Sequence, residues 1–201
     1  MILICAAMKE EVKEILKHPH KDVDVLLTGI GKVNAAAQLA KYLSKHQVKA
    51  IYNLGFAGAS SHFNVSDVIV IEKALYHDFD LTLFGYQKGQ VPGFEPSFVS
   101  DPSLFTNITS WKNIKSSTLY TGDYFMTETK EIPFVVDMEG AALYQTAKIF
   151  NIPIISVKVV SDVLGMDKHY ENYKAFEKEE GSKKLLNIYQ KLIGGLSWKD
   201  Y

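Results

Sequence analysis

Hydrophobic and polar positions along the chain follow two rhythms. Short apolar runs read as buried strands at Ile2–Ala6, Val23–Leu27, 50–54, 67–72, 116–121, 133–137 and 153–160. Between them lie stretches with helical spacing. Residues 9–17 place Val12, Ile15 and Leu16 on one face, 33–46 is rich in alanine, and 139–150 and most of 173–193 have the same period. Gly29-Ile30-Gly31-Lys32 reads as a tight turn from strand into helix. Gly55-Phe56-Ala57-Gly58 reads as the end of the strand that begins at Ala50. The middle, 76–113, is irregular and aromatic, carrying Phe79, Phe84, Tyr86, Phe94, Phe98, Phe105 and Trp111. Alternating strands and helices predict an α/β fold: one domain over 1–201, with a mixed, mostly parallel central sheet flanked by helices on both faces. No linker or repeat divides it.

Composition narrows the function classes. The chain has 201 residues, 47% hydrophobic and 22% charged, with a net charge of -1. No basic excess points to nucleic acid, and no apolar stretch is long enough to span a membrane. Met1–Met8 lacks a basic leader segment and reads as the first buried strand. Cys5 is alone, which rules out an internal disulfide and favours a reducing, cytoplasmic location; it reads as core packing. All 22 basic residues are lysine, so no guanidinium fork is available to grip phosphate or a carboxylate.

Three acids stand at element junctions. Glu10 or Glu11 follows the first strand, Glu139 lies in Val136-Asp137-Met138-Glu139-Gly140 where a helix begins, and Asp162 follows Val159-Val160-Ser161 where a strand stops. Each has an ordinary explanation: a surface acid near a helix start, a partner of the helix dipole, or an N-cap. Together they fall on one edge of the expected sheet, where open α/β sheets place ligands. Other chemistries fit less well. Gly29–Lys32 matches neither phosphate-loop nor dinucleotide fingerprints, and no G-x-S-x-G elbow is present. The six histidines form no spaced ligand pair, and Tyr76-His77-Asp78-Phe79-Asp80 reads as a polar loop beside a pocket. No metal or cofactor is expected.

In order, the segments Ala7-Met8-Lys9-Glu10-Glu11-Val12, Gly29-Ile30-Gly31-Lys32-Val33, Asn53-Leu54-Gly55-Phe56-Ala57-Gly58, Tyr76-His77-Asp78, Phe84-Gly85-Tyr86, Gly89-Gln90-Val91-Pro92-Gly93, Thr121-Gly122-Asp123, Asp137-Met138-Glu139 and Ser161-Asp162-Val163 make a specific pattern. The chain resembles the 5'-methylthioadenosine/S-adenosylhomocysteine nucleosidases of the purine nucleoside phosphorylase superfamily, almost end to end. The resemblance extends to the futalosine and 6-amino-6-deoxyfutalosine hydrolases of menaquinone synthesis. It implies a nucleoside phosphorylase-like fold and hydrolysis of the N-glycosidic bond of a 5'-substituted purine ribonucleoside.

By position, the resemblance makes Glu11 the residue that activates water and Asp162 the acid at purine N7. Glu139 holds ribose hydroxyls beside Met138, Phe125 stacks on the purine, and Met126 lies where backbone groups read the base edge. Met8, Ile30, Phe56 and Ser161 complete the expected binding set. Phe84, Tyr86 and Pro92 resemble walls of the 5'-substituent pocket, in part across a dimer interface. Phe56 stands where the family has a small residue, and Lys158 where arginine is common. The aromatic stretch 84–94 supports a homodimer. Two other readings are a phosphate-dependent phosphorylase, which in this superfamily grips phosphate with arginine, and a non-catalytic nucleoside binder.

Overall fold

Among the described residues eight strands form one sheet, and part of that sheet closes on itself. The structure, a computed structural model, describes residues 1–128, 131–166 and 169–195. Strand β1 (Ile2–Ala6) is buried throughout and lies parallel between β2 (Val23–Leu27) and β3 (Ala50–Ala59). Strand β3 continues in parallel along β8 (Ile154–Val163), and its far end pairs antiparallel with β7 (Phe134–Asp137). Strand β7 runs parallel to β6 (Lys115–Thr121), and β6 parallel to β4 (Val68–Tyr76). Strand β4 then returns antiparallel to β8. The ring β3-β7-β6-β4-β8 is therefore closed, with β2 and β1 extending it at one side and β5 (Phe98–Val99) at the other. The sheet is mixed and mostly parallel, as expected, but not open. Closure leaves these five strands no free edge and gives the molecule a mouth.

Side-chain alternation along β1 separates two cores. Leu3 and Cys5 face a cluster that includes Ala35 and Leu39 of α2 (Lys32–Leu43) and Ala141 and Leu143 of α4 (Gly140–Phe150). Ile2 and Ile4 face Val12 of α1 (Lys9–Val12), Leu104 and Ile108 of α3 (Pro102–Thr109), and Leu185 and Ile188 of α6 (Ser182–Gly195). Helices thus cover both faces. The Cys5 thiol is fully buried, and burial drives its pKa far up, so it is packing and not a nucleophile.

Several boundaries differ from the sequence reading, each for a physical reason. Strand β3 does not stop at Leu54; Gly55-Phe56-Ala57-Gly58 lies inside it. A glycine within a strand marks close approach of another group as readily as an end. Strand β8 likewise runs past Val160, so Asp162 lies within a strand and not after one. The helix expected over 9–17 is two short turns, α1 and a 3-10 turn Ile15–Lys17, which still bury Val12 and Ile15. The middle segment hides helix α3. Its start signal was present in the sequence: Asp101 caps the amides of Ser103 and Leu104, and Pro102 opens the first turn. The last helical region is interrupted by a π-helical turn, Glu177–Gly181, between α5 (His169–Phe176) and α6.

A buried polar chain ties helix α4 to strands β3 and β8. The Tyr144 hydroxyl accepts from Ser156 N (2.9 Å) and shares a hydrogen bond with Ser100 Oγ (2.7 Å), while Asn53 Nδ2 donates to Ser156 Oγ (2.9 Å). Tyr144→Phe strips a buried amide of its acceptor. The expected cost is about 1–3 kcal/mol, read as a lower urea midpoint with an unchanged denaturant slope. No change in midpoint contradicts the assignment.

Candidate active site

At the mouth of the ring lies a cavity of about 450 Å³. It gathers residues from segments far apart in the chain. Ten of the thirteen site residues expected from sequence line it: Met8, Glu11, Ile30, Phe56, Phe125, Met126, Met138, Glu139, Ser161 and Asp162. The other three, Phe84, Tyr86 and Pro92, are not part of it within one chain, and Phe84 is largely exposed.

Of the two acids after β1, Glu11 is the buried one and Glu10 is exposed. Its Oε2 accepts from Met8 N and its Oε1 from Phe56 N, both at 2.9 Å. The first bond closes the start of α1; the second fixes the carboxylate against β3. This position requires Gly55, because a Cβ there would fall 2.6 Å from Glu11 Oε1. Burial raises the Glu11 pKa, and Lys158 and the two amides oppose that rise. The side chain of Phe56 is incidental to this contact, which uses its backbone; its ring instead meets Phe176 edge-to-face at 5.3 Å.

Asp162 is placed by a bulge. Ala57 pairs with Val160 but Gly58 pairs with Asp162, so Ser161 is the extra residue in β8. Bulges re-aim side chains, and here both Ser161 and Asp162 reach the cavity. Ser161 Oγ sits 2.5 Å from Asp162 Oδ1 and 3.2 Å from the carbonyl of Ala57. Asp162 is therefore no helix cap. It lies against Gly58, three residues beyond the glycine that accommodates Glu11, which is about 10 Å along a strand.

Glu139 is the N-cap residue of α4, yet its side chain does not cap that helix. Asp137 does so, accepting from Gly140 N at 3.0 Å through both oxygens, and the Thr121 hydroxyl accepts from Ala141 N at 2.9 Å. Glu139 is thereby released to reach the Gly29–Lys32 turn, where Gly31 N donates to its Oε1 at 2.8 Å. Burial, and next the neighbouring Asp137, push its pKa up to about 8.

The sequence reading missed the partner that makes this crowding tolerable. Lys158 Nζ, fully enclosed, lies 2.9 Å from Asp137 Oδ2 and 3.4 Å from Asn53 Oδ1. Burial alone lowers the pKa of this ammonium, but Asp137, Glu11 and Glu139 outweigh it and hold the group charged. Removing one member of such a pair strands a buried charge, at about 3–5 kcal/mol. Lys158 is the one buried lysine among the described residues. The sequence marked it only as the one charged residue of the run 153–160 and as a lysine where the resembled family commonly has arginine; its pairing with Asp137 left no local signal. Tyr124 and Tyr173 also line the cavity. Tyr173 meets Phe125 edge-to-face at 6.1 Å and donates its hydroxyl to Glu177 at 3.1 Å. These rings were not separable in sequence from ordinary aromatic packing.

The arrangement suits cleavage at a carbon bearing a good leaving group. One buried carboxylate with a raised pKa can take a proton from water, a second acid can give one, and a third can hold a hydroxyl. An exposed ring, Phe125, stands beside them for stacking.

Comparison with known proteins places this geometry. Residues 17–193 match the model of the phosphorylase superfamily. A 5'-methylthioadenosine/S-adenosylhomocysteine nucleosidase from Bacillus pumilus is 34% identical over 165 residues, 74% of this chain and 71% of that protein. A structure from Borrelia burgdorferi, described under the same nucleosidase name and bound to adenine, superposes with a TM-score of 0.87 at 31% identity, covering 98% of this chain and 100% of that one. A nucleosidase of that name from Streptococcus pneumoniae, solved with a transition-state inhibitor, gives 0.83 at 28% identity over 96% and 99% of the two chains.

Raised carboxyl pKa values make stability depend on pH with a definite sign. From about 4.5 to about 8 the folded protein keeps a proton on Glu139 that the unfolded chain has lost. Stability therefore falls as pH rises through that window. Glu139→Gln is expected to flatten the decline, measured as urea midpoints across the same range. A variant whose midpoints fall as steeply as the parent's contradicts the assignment.

Proposed function

The chain belongs to the phosphorylase superfamily and, within it, to the 5'-methylthioadenosine/S-adenosylhomocysteine nucleosidases, and from that premise we propose that it hydrolyses the N-glycosidic bond of a 5'-substituted adenine ribonucleoside. The observation that carries this reading is the convergence of Glu11, Glu139 and Asp162 with Phe125 in one cavity. The 201 residues act as a single catalytic domain.

Each residue takes a role that its surroundings suit. The purine stacks on Phe125, with Met126 at its edge and Asp162 at N7. Asp162 gives N7 a proton as the C1'–N9 bond breaks, so the base departs neutral. Ser161, within hydrogen-bond distance of Asp162 Oδ1, steadies that acid. Glu139 accepts from a ribose hydroxyl and draws positive charge toward the ring as C1' becomes cationic. Glu11 takes the proton of the water that attacks C1', giving free base and a 5'-substituted ribose. Met8, Met138 and Ile30 supply apolar walls that exclude bulk water.

Water, and not phosphate, fits the electrostatics. The enclosed ammonium of Lys158 is committed to Asp137, and three further carboxyl groups border the same space. A phosphate dianion placed there finds no guanidinium to hold it. The names of the relatives favour methylthioadenosine and adenosylhomocysteine as substrates over the futalosine nucleosides.

Phe84, Tyr86 and Pro92, which one chain leaves outside its own cavity, wall the 5'-side of a partner's cavity in a homodimer. Leu83 and Phe84 are 96% and 76% exposed, an apolar projection that a second copy covers. Sedimentation at micromolar concentration is expected to give a dimer, and a lone monomer contradicts the arrangement. No helix among the described residues is long and apolar enough to cross a membrane. The buried free thiol fits a cytoplasmic protein.

Base release from methylthioadenosine, adenosylhomocysteine and aminofutalosine, with and without phosphate, tests the reaction. Release from the first two without phosphate is expected. Glu11→Gln and Asp162→Asn should each lower kcat by about 10²–10⁴-fold, with adenine binding retained. Strict phosphate dependence, or full turnover by both variants, contradicts the reading.

A further inference from the structure

Two loops border the cavity from different parts of the chain. The Gly29–Lys32 turn contributes Ile30 and the amide that holds Glu139, and the segment after β6 contributes Tyr124, Phe125 and Met126. Residues outside the catalytic set bind these loops to each other. Lys32 N donates to Asp123 Oδ1 at 2.8 Å, and Asp123 N donates to Asp78 Oδ2 at 2.9 Å. Lys32 Nζ closes the circuit, 2.6 Å from the same Asp78 oxygen and 3.7 Å from Asp123 Oδ2. The ammonium also lies 5.4 Å over the ring of Tyr76, whose hydroxyl donates to Gln145 of α4 at 2.7 Å.

Backbone geometry brings the turn tightly onto this circuit. Gly31 has φ +94, where side chains are strained, and a Cβ there would stand 3.2 Å from Asp123 Oδ1. Asp78 therefore serves both loops with one carboxylate: it receives the amide of one and the ammonium of the other. Burial raises its pKa, but Lys32 and the Asp123 amide more than reverse that and keep it ionised.

We propose that Asp78, Lys32 and Asp123 form a latch of positioning residues that fixes the sugar loop and the base loop in one mutual arrangement, and so sets the affinity for the nucleoside. None of the three lines the cavity. They act through Ile30, which adjoins Gly31, and through the chain from Asp123 into Phe125 and Met126. Ile30, Phe125 and Met126 touch parts of the substrate that do not react, so loosening them removes binding shared by ground and transition states. The kinetic consequence is a higher KM with little change in kcat.

The kinetic arm of the test rests on the nucleosidase reading; amide hydrogen exchange does not. Asp78→Ala is expected to speed exchange in both the Gly29–Lys32 turn and the 122–126 segment. It is also expected to raise KM for methylthioadenosine roughly tenfold, the loss of one charge-assisted hydrogen bond, with kcat nearly unchanged. Lys32→Arg, made alone, keeps the ion pair with Asp78 and is expected to retain parental exchange and KM. Exchange unchanged in either loop overturns the latch, and so does a fall in kcat at constant KM, the mark of a smaller folded fraction. Turnover by the parent protein tests the nucleosidase reading on its own, and exchange in the two loops decides the latch whatever that result.

Discussion

One enclosed ammonium holds the site together. Lys158 lies between Asp137, which it pairs with directly, and Glu11 and Glu139, whose charges it feels. Three carboxyl groups cannot all ionise in so little water without a counter-charge. One lysine satisfies one of them outright and moderates the other two. Burial raises the pKa values of Glu11 and Glu139, and the lysine limits both rises. The pair also has a structural task. Asp137 caps α4 while bound to Lys158, so the helix that carries Glu139 is anchored to the strand that carries Asp162.

Closure of the sheet makes that meeting unavoidable. Strands β3 and β8 run side by side through the ring, and β7 delivers Asp137 at its end. Glycines at 55 and 58 along β3 leave the space into which Glu11 and Asp162 fit, and the bulge at Ser161 turns Asp162 to face the cavity. Packing and chemistry are thus the same constraint: any side chain at Gly55 must displace the carboxylate proposed to activate water.

The chain displayed its architecture through period and its site through order. Apolar runs such as those of β1 and β8 read as buried strands, and the Ala-rich α2 as helix. The three acids were visible because each stands beside a recognisable junction. What lay hidden was whatever depends on closeness in space. Gly55-Phe56-Ala57-Gly58 looked like a strand end because glycine signals both termination and close approach, and only the carboxylate against it decides which. Helix α3 was masked by surrounding aromatics although Asp101-Pro102 announced it. The partnership of Lys158 with Asp137 joins residues of two strands, and no local pattern links them. Phe84, Tyr86 and Pro92 belong to a surface, and a single chain gives that surface no cavity to line.

The central claim is that the purine end of the ligand lies on Asp162 and the sugar end between Glu11 and Glu139. A crystal structure of the protein with adenine and a ribose-mimicking inhibitor tests it most directly. The account predicts N7 within hydrogen-bond distance of the Asp162 carboxyl group, the adenine plane on Phe125, and a water held by Glu11 facing the anomeric position. Adenine bound elsewhere, or seated with N7 turned away from Asp162 and no water on Glu11, contradicts it.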